Sequence, residues 1–227
     1  MKDFTELFKK LHIVPKNNSL YELALTHSSF NADAKTKHHD YERLEYIGDA
    51  VLGFVTADLI FELHPEMDQG MMSKLRSYLV QSKSLAHYAR RVELYDYIIA
   101  GHSIDRDMIE KSDKILEDVF EALIGAVYLD LGIKKAYSYI KYFVYNDIKN
   151  PDIDELTDFK TRLQEEMQSE YRDSVTYRLI KEEGPAHDRL FVSEVLFNGT
   201  VLATGKGKSK KSSEQDAARN ALRKKAV

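Results

Sequence analysis

The pattern of apolar residues changes once along the chain, and this change limits the folds that the chain can adopt. Over residues 1–149 apolar residues recur at spacings of three and four, as they do in 44–55, and little Gly or Pro interrupts them. This spacing is typical of amphipathic helices. At NPDID (150–154) Pro151 cannot continue a helix, and the residue before it is biased away from helical angles. The sequence therefore predicts an all-helical domain over 1–149, a linker over 150–154 and a second domain over 155–227.

The second domain has a mixed pattern. ELTDFKTRLQEEMQ (155–168) indicates a helix, and two stretches rich in β-branched and aromatic residues follow at 174–184 and 188–207. Within the second stretch Asn198-Gly199 separates two apolar runs, which is a strong hairpin signal. The Ala-rich segment 208–225 ends in basic residues, as suits the last turn of a helix. We predict a small α+β domain with the order α-β-β-β-α.

Composition excludes several classes of protein. With 43% hydrophobic and 31% charged residues, the chain of 227 residues has the composition of a globular protein. Because it has no cysteine, a disulfide framework, a thiolate zinc site and a cysteine nucleophile are excluded. The charged start MKDFTELFKK does not resemble a secretory signal, and the apolar run 50–63 is interrupted by Asp58 and too short to span a bilayer. We expect a cytoplasmic protein with no membrane partner.

The charge is distributed unevenly along the chain. The net charge is −4, yet residues 206–227 contain eight Lys or Arg and only two acids. Phosphate binding depends on such local clusters and not on the chain average. A nucleic-acid partner therefore stays compatible with the acidic total.

Two segments of the helical domain place carboxylates on one helix face. In YERLEYIGDAVL (41–52), Glu42, Glu45 and Asp49 are separated by three and four residues. Such positions are neighbours on a helix, where like charges repel. Gly48 lies among them and is small enough to let another element approach closely.

The second segment, KILEDVFEALIGAVYLD (114–130), has Asp118 and Glu121 three residues apart, with Gly125 one turn further on. Two such stripes indicate a pair of helices that pack with their carboxylates converging. An all-oxygen site of this kind suits Mg²⁺ or Mn²⁺ better than zinc, and such ions assist hydrolysis at phosphorus. The alternative is a solvated face, or ion pairs with Arg43 and Arg76, and spacing does not decide between the two.

Four segments resemble blocks of the bacterial ribonuclease III family. ERLEYIGDAVL (42–52) is similar to the family signature and LEDVFEALIGAVYLD (116–130) to its second acidic motif, while LALTHSSF (23–30) and GMMSKLRSYLV (70–80) match further blocks in order. The α-β-β-β-α tail resembles the double-stranded RNA-binding domain that follows the nuclease domain in this family. The resemblance implies a Mg²⁺-dependent homodimeric endoribonuclease that cleaves double-stranded RNA. It also implies 5′-phosphate and 3′-hydroxyl products and a role in processing ribosomal RNA precursors and structured messenger RNA.

The resemblance also assigns roles to the carboxylates. It implies that Glu45, Asp49, Asp118 and Glu121 are catalytic, with Glu45, Asp118 and Glu121 as the metal set for Mg²⁺, for which Mn²⁺ can substitute. Glu45 and Glu121 match direct ligands, whereas Asp118 and Asp49 match residues that act by ligation or by holding waters. Glu42 would contact the RNA backbone or the dimer partner.

One position of the signature differs from the family. Tyr41 stands where the family has Asn. This difference leaves the metal set unchanged and affects only the expected substrate contacts nearby.

The tail matches the RNA contacts of the family domain. Lys210 and Lys211, with Lys208 before them, would bridge phosphates across the major groove. The remaining expected contacts lie on both helices and in one loop: Thr161, Gln164, Glu165, His187 and Gln215. Without the resemblance, the alternative for each of these residues is an ordinary surface position exposed to solvent, with no contact to RNA.

Two other functions compete with the nuclease. The first is a non-catalytic RNA-binding protein, which would be marked by loss of a ligand carboxylate. The second is an all-helical metal-dependent hydrolase of nucleotides, which usually has several histidines and gives no role to the basic tail. The four carboxylates and the tail together favour the endonuclease.

Overall fold

The computed structural model of the chain describes residues 2–33, 39–151, 158–185 and 189–225. The chain divides into two compact units, Met1–Asp152 and Ile153–Val227. Most of the segment predicted as a linker, 150–154, lies outside the described residues, so its limits stay a prediction. None of the described helices has the length and apolar character needed to cross a bilayer.

The regular secondary structure in the described part of the first unit is almost entirely helical, as the apolar spacing predicts. Extended pairing within this part is limited to one isolated bridge between Thr26 and Ile99. A short 3₁₀ turn lies at Leu94–Asp96. The α-helices are α1 (Thr5–Lys10), α2 (Asn18–Ala24), α3 (Phe30–Asp33), α4 (Glu42–Leu63), α5 (Gln69–Leu79), α6 (Ser82–Arg91), α7 (Arg106–Lys111), α8 (Asp113–Leu131) and α9 (Ile133–Lys149).

Helix α8 is the centre of this unit. Every residue from Leu116 to Val127 except Glu117 is buried, because the helix is apolar on nearly all sides and can be covered on all of them. The ring of Phe120 meets that of Phe143 on α9 edge to face, with centroids 5.0 Å apart. A helix held on several sides is a rigid support for Asp118 and Glu121, the two acids of the predicted site that it bears.

The ends of α8 follow from single residues. Ser112 precedes the helix, and its hydroxyl oxygen accepts a hydrogen bond from the Ile115 N–H at 3.3 Å. The helix ends at Leu131, and Gly132 after it has a φ of 80° that is readily adopted only by glycine. These two ends set the limits of the helix and therefore the positions of its acids.

The second unit has the predicted α-β-β-β-α order. Its elements are α10 (Phe159–Tyr171), β1 (Thr176–Glu183), β2 (Leu190–Phe197), β3 (Thr200–Gly207) and α11 (Lys210–Lys225). The strands form an antiparallel sheet in the order β1-β2-β3. Asn198 and Gly199 connect β2 to β3 with φ angles of 49° and 78°, as expected of a two-residue turn with positive φ at both positions.

Both helices pack on one face of this sheet. The core between them is small and built largely from short side chains, which lets α11 lie close to β3. Its buried members are Leu163, Met167, Val175, Val195, Ala203, Ala217, Ala218 and Ala221.

Candidate metal centre and nucleic-acid interface

Helices α4 and α8 touch through their main chains. A Cβ atom on Gly48 would lie 1.8 Å from the carbonyl oxygen of Glu121, and one on Gly125 would lie 2.2 Å from the carbonyl oxygen of Leu44. Only glycine fits at either position without moving a helix. The interpretation of Gly48 and Gly125 as points of close approach is therefore confirmed by the packing.

This contact brings together carboxylates from the two helices. Glu45, Asp118 and Glu121 each offer one oxygen, and these oxygens all lie within 4.8 Å of one another. Glu45 is half-buried, while Asp118 and Glu121 are only 6% and 7% exposed. The three residues, called the acidic cluster below, are the same three that the family resemblance assigns to the metal set.

The other two acids of the signature lie outside the cluster. Asp49 is exposed, but it is the charge that raises the pKa of Glu121 most, so it lies at the edge of the cluster. Glu42 is also exposed, and its backbone N–H donates to Asp40 Oδ1 at 3.3 Å. The charge of Glu42 is also among those that raise the pKa of Glu45, so Glu42 lies near the cluster.

Crowding of negative charge perturbs the cluster. Burial, followed by the charges of Asp49 and Glu117, raises the pKa of Glu121 to about 8. Burial and the charge of Asp118 also raise the pKa of Glu45, and Lys114 acts in the opposite direction. A carboxyl with a raised pKa is one whose ionised form lacks a positive partner. The cluster is thus short of positive charge.

Asp118 has two partners that the sequence analysis did not identify. The hydroxyl of Tyr41 donates to its Oδ2 at 3.2 Å, and the Nζ of Lys114 lies 2.5 Å from its Oδ1. Oδ1 is buried and accepts no hydrogen bond of ordinary geometry from the described residues, so the contact with Lys114 is an ion pair. Lys114 precedes Asp118 by four residues on α8, a spacing that could have indicated the pair.

Tyr41 is itself held in place. It is 5% exposed, its N–H donates to the Thr26 carbonyl at 3.1 Å, and its ring lies 5.5 Å from that of His27. The residue that differs from the family therefore contacts a carboxylate of the cluster. Its hydroxyl donates to a member of the metal set, a contact that the sequence analysis did not expect of this position.

The donor set fits a hard divalent cation. All three groups are carboxylates, and one buried oxygen among them has no hydrogen bond of ordinary geometry. Mg²⁺ and Mn²⁺ prefer oxygen ligands and leave room for waters. No ion pair joins Arg43 or Arg76 to the cluster among the described residues, so the alternative of arginine pairing is not supported.

Three exposed lysines mark one end of α11 in the second unit. Lys208 precedes the helix, and Lys210 and Lys211 begin it. Ser209 and Ser212 cap this end reciprocally: each donates its N–H to the hydroxyl of the other, at 2.9 and 3.1 Å. A helix start with basic side chains attracts phosphate through its dipole and through these charges.

The predicted contacts on α10 have partners inside the domain. The Thr161 hydroxyl donates to Asp158 Oδ2 at 2.9 Å. The Gln164 amide accepts from the Val175 N–H at 3.2 Å and donates to the Ser174 hydroxyl at 3.1 Å. Gln164 therefore fastens the loop between α10 and β1, whether or not it also meets RNA.

The remaining predicted contacts differ in their surroundings. Gln215 donates to Asp158 Oδ1 at 2.7 Å and accepts from the Lys160 N–H at 3.2 Å, so it joins α11 to the start of α10. Glu165 is exposed. His187 lies outside the described residues. The RNA contacts assigned to these residues stay predictions.

Two family models match the chain. Residues 17–148 match the model described as Ribonuclease-III-like, and residues 159–225 match the double-stranded RNA binding motif. The two matches fall within the helical unit and the α-β-β-β-α unit respectively.

Relatives and solved structures agree with these matches. A protein named Ribonuclease 3 from Aster yellows witches'-broom phytoplasma is 42% identical over 99% of this chain and 92% of its own length. One of the same name from Staphylococcus epidermidis is 38% identical over 97% of this chain and 90% of its own. A crystal structure of the nuclease domain of ribonuclease III from Campylobacter jejuni is 33% identical, has a TM-score of 0.60 and covers 67% of this chain and 100% of that one. A second structure of that domain, described for flexibility in a region involved in dimer formation, has a TM-score of 0.59, is 33% identical and covers 63% of this chain and 97% of that one.

Proposed function

The chain belongs to the ribonuclease III family, and from this membership we propose that it is a Mg²⁺-dependent endoribonuclease that hydrolyses phosphodiester bonds in double-stranded RNA. We propose products with 5′-phosphate and 3′-hydroxyl ends, and ribosomal RNA precursors and structured messenger RNA in the cytoplasm as substrates. Mn²⁺ would substitute for Mg²⁺. The observation that supports this function best is the convergence of Glu45, Asp118 and Glu121 at one point between α4 and α8.

The positions of the carboxylates support the roles that we propose for them. Glu45, Asp118 and Glu121 would hold the ion, and exposed Asp49 would orient water or the phosphate at the edge of the cluster. A bound Mg²⁺ would supply Lewis-acid chemistry, lowering the pKa of water and neutralising charge at phosphorus. Because the pKa of Glu121 lies near 8 in the absence of a cation, this residue would release its proton when it becomes a ligand.

The basic end of α11 would provide affinity for the duplex. The exposed side chains of Lys208, Lys210 and Lys211 at one helix start suit the phosphates of A-form RNA, which proteins recognise mainly by shape. Phosphate contacts of this kind are independent of base sequence. Binding to duplex RNA and cleavage would thus reside in different units of the chain.

We also propose a homodimer formed through α4. Tyr46, Phe54 and Phe61 are 81%, 59% and 70% exposed on this helix. Aromatic side chains exposed together on one helix mark an interaction surface. A second copy is the partner that suits this surface, because a two-fold interface uses the same patch on both subunits. Two copies would provide two centres, one for each RNA strand.

The cleavage experiment uses a long RNA duplex with a single-stranded control. We expect cleavage of the duplex only, and only when Mg²⁺ or Mn²⁺ is present. Glu121→Gln should remove cleavage and leave duplex binding within about twofold, because the change is confined to the acidic cluster. Glu62→Gln, at an exposed position of α4, is the matched control and should cleave normally. Cleavage by Glu121→Gln at the normal rate would contradict the assignment.

The homodimer is tested by light scattering coupled to size exclusion. Phe54→Glu should convert the dimer to a monomer, since it places a charge in the apolar surface. Tyr142→Glu alters an aromatic residue of similar exposure, 53% against 59%, on α9 and should leave the dimer intact. A wild-type chain that is monomeric at micromolar concentration would refute this part of the proposal.

A further inference from the structure

Lys114 supplies a positive charge at the solvent edge of the acidic cluster. It lies on α8 one turn before Asp118, with its Nζ 2.5 Å from Asp118 Oδ1 and 3.7 Å from Glu117 Oε2. The lysine side chain is 69% exposed, whereas those of Asp118 and Glu117 are 8% and 18% exposed. A mobile cation thus reaches a buried oxygen from the solvent side.

The lysine and a divalent ion would require the same oxygen. Mg²⁺ binds carboxylate oxygens at about 2.0–2.1 Å, and an ammonium group 2.5 Å from that oxygen would occupy the same space and repel the ion. A lysine has a flexible four-carbon stem, and at this exposure the head group can leave into water. Exchange of one cation for the other therefore needs no movement of either helix.

Tyr41 would keep Asp118 in position during this exchange. Its hydroxyl donates to Oδ2, the oxygen that Lys114 does not contact, and the tyrosine is 5% exposed. One oxygen of Asp118 is thus held from within the protein while the other faces a cation. Outer contacts of this kind orient the ligands of metal sites.

We propose that Lys114 is an internal counter-ion of the acidic cluster, which occupies Oδ1 of Asp118 in the metal-free protein and is displaced by the divalent cation. It would stabilise the metal-free fold and weaken metal binding, so that the centre fills over a higher range of metal concentration. This inference rests on the proposed function, because it takes Asp118 to be a metal ligand.

The experiment measures Mn²⁺ binding without RNA, by electron paramagnetic resonance of the free ion. Lys114→Met retains an unbranched side chain, one atom shorter, and removes the charge, and we expect it to bind Mn²⁺ about three- to tenfold more tightly than the wild type. Lys135→Met, at a partly exposed position on α9 outside the acidic cluster, is the control and should bind as the wild type does. Lys114→Arg retains the charge and should bind no more tightly than the wild type.

A urea titration of the same proteins provides the second measurement. Without metal, Lys114→Met should unfold at a lower urea concentration than Lys135→Met, and saturating Mn²⁺ should remove the difference. Equal or weaker Mn²⁺ binding by Lys114→Met, with normal binding by the wild type, would overturn the role of Lys114 alone. Absence of Mn²⁺ binding by the wild type would overturn the metal centre, and the counter-ion with it.

Discussion

Replacing Gly48 by alanine tests whether main-chain contact between α4 and α8 determines the geometry of the centre. The added Cβ would lie 1.8 Å from the carbonyl oxygen of Glu121, where ordinary contact begins at 3.4 Å. The obstacle is backbone, which cannot rotate away as a side chain would. The two helices would therefore have to separate by about 1.5 Å.

The expected cost follows from two opposing effects. Overpacking a well-packed core costs about 1–3 kcal/mol, and a clash with backbone belongs at the upper end of that range. Alanine is favoured over glycine within a helix by about 1 kcal/mol. We expect Gly48→Ala to lower the free energy of unfolding by about 1–2 kcal/mol.

Gly53 on the same helix provides the matched control. A Cβ at this position would meet nothing within 4 Å, so Gly53→Ala should stabilise the protein by about 0.5–1 kcal/mol. The two alanine variants should therefore differ by roughly 1.5–3 kcal/mol in urea unfolding at equal protein concentration. Gly48→Ala should also bind Mn²⁺ more weakly, because Glu45 and Glu121 lie on the helices that separate. Equal stability of the two variants would refute the close contact.

Three further predictions follow from the two units. The pKa of Glu121 is near 8 in the folded protein and 4.5 ordinarily, so between these values the metal-free folded protein holds one proton more than the unfolded chain. The free energy of unfolding should therefore fall as the pH rises from about 5 to 8. Glu121→Gln should reduce this fall in urea titrations. The double variant Lys210→Ala, Lys211→Ala should weaken duplex binding and reduce the slope of log K against log salt by about 1 per lysine. Lys181→Ala on β1 is the control and should leave the slope unchanged. An unchanged slope in the double variant would exclude Lys210 and Lys211 as phosphate contacts. Tyr41→Phe should lower the free energy of unfolding by about 1.5–3 kcal/mol and weaken Mn²⁺ binding, because Asp118 loses a buried hydrogen-bond donor. Unchanged Mn²⁺ binding would contradict the role of Tyr41 in positioning Asp118.

The parts of the site that could be predicted from the sequence depend on local patterns. Helical spacing places acids on one face regardless of the rest of the fold, and Gly48 and Gly125 indicate where two helices can meet. The turn at Asn198-Gly199 is likewise a property of two adjacent residues. These features need no knowledge of distant contacts, which explains why the α4–α8 pairing and the hairpin agree with prediction.

The parts that sequence reasoning missed depend on tertiary position. The Tyr41 hydroxyl meets Asp118, which is 77 positions away, and nothing in the local pattern identifies that partner. The internal hydrogen bonds of Gln164 and Gln215 likewise require that α10, α11 and the following loop be already placed. The spacing of four residues between Lys114 and Asp118 is compatible with an ion pair on a helix. Glu117, three residues after Lys114, is equally compatible, so spacing alone does not identify Asp118 as the partner.

The glycine contacts also bear on which ion the centre would select. Gly48 and Gly125 place main chain directly against main chain, so the gap between α4 and α8 cannot be widened by a change of side-chain rotamer. Ca²⁺ takes six to eight ligands at about 2.3–2.6 Å, whereas Mg²⁺ requires about 2.0–2.1 Å and a stricter geometry. The close approach that the two glycines allow would keep the carboxylates near enough together for the shorter bonds of Mg²⁺, and a larger residue at either position would move them toward the spacing of the larger ion. Selection by size would thus originate in two residues that have no side chain.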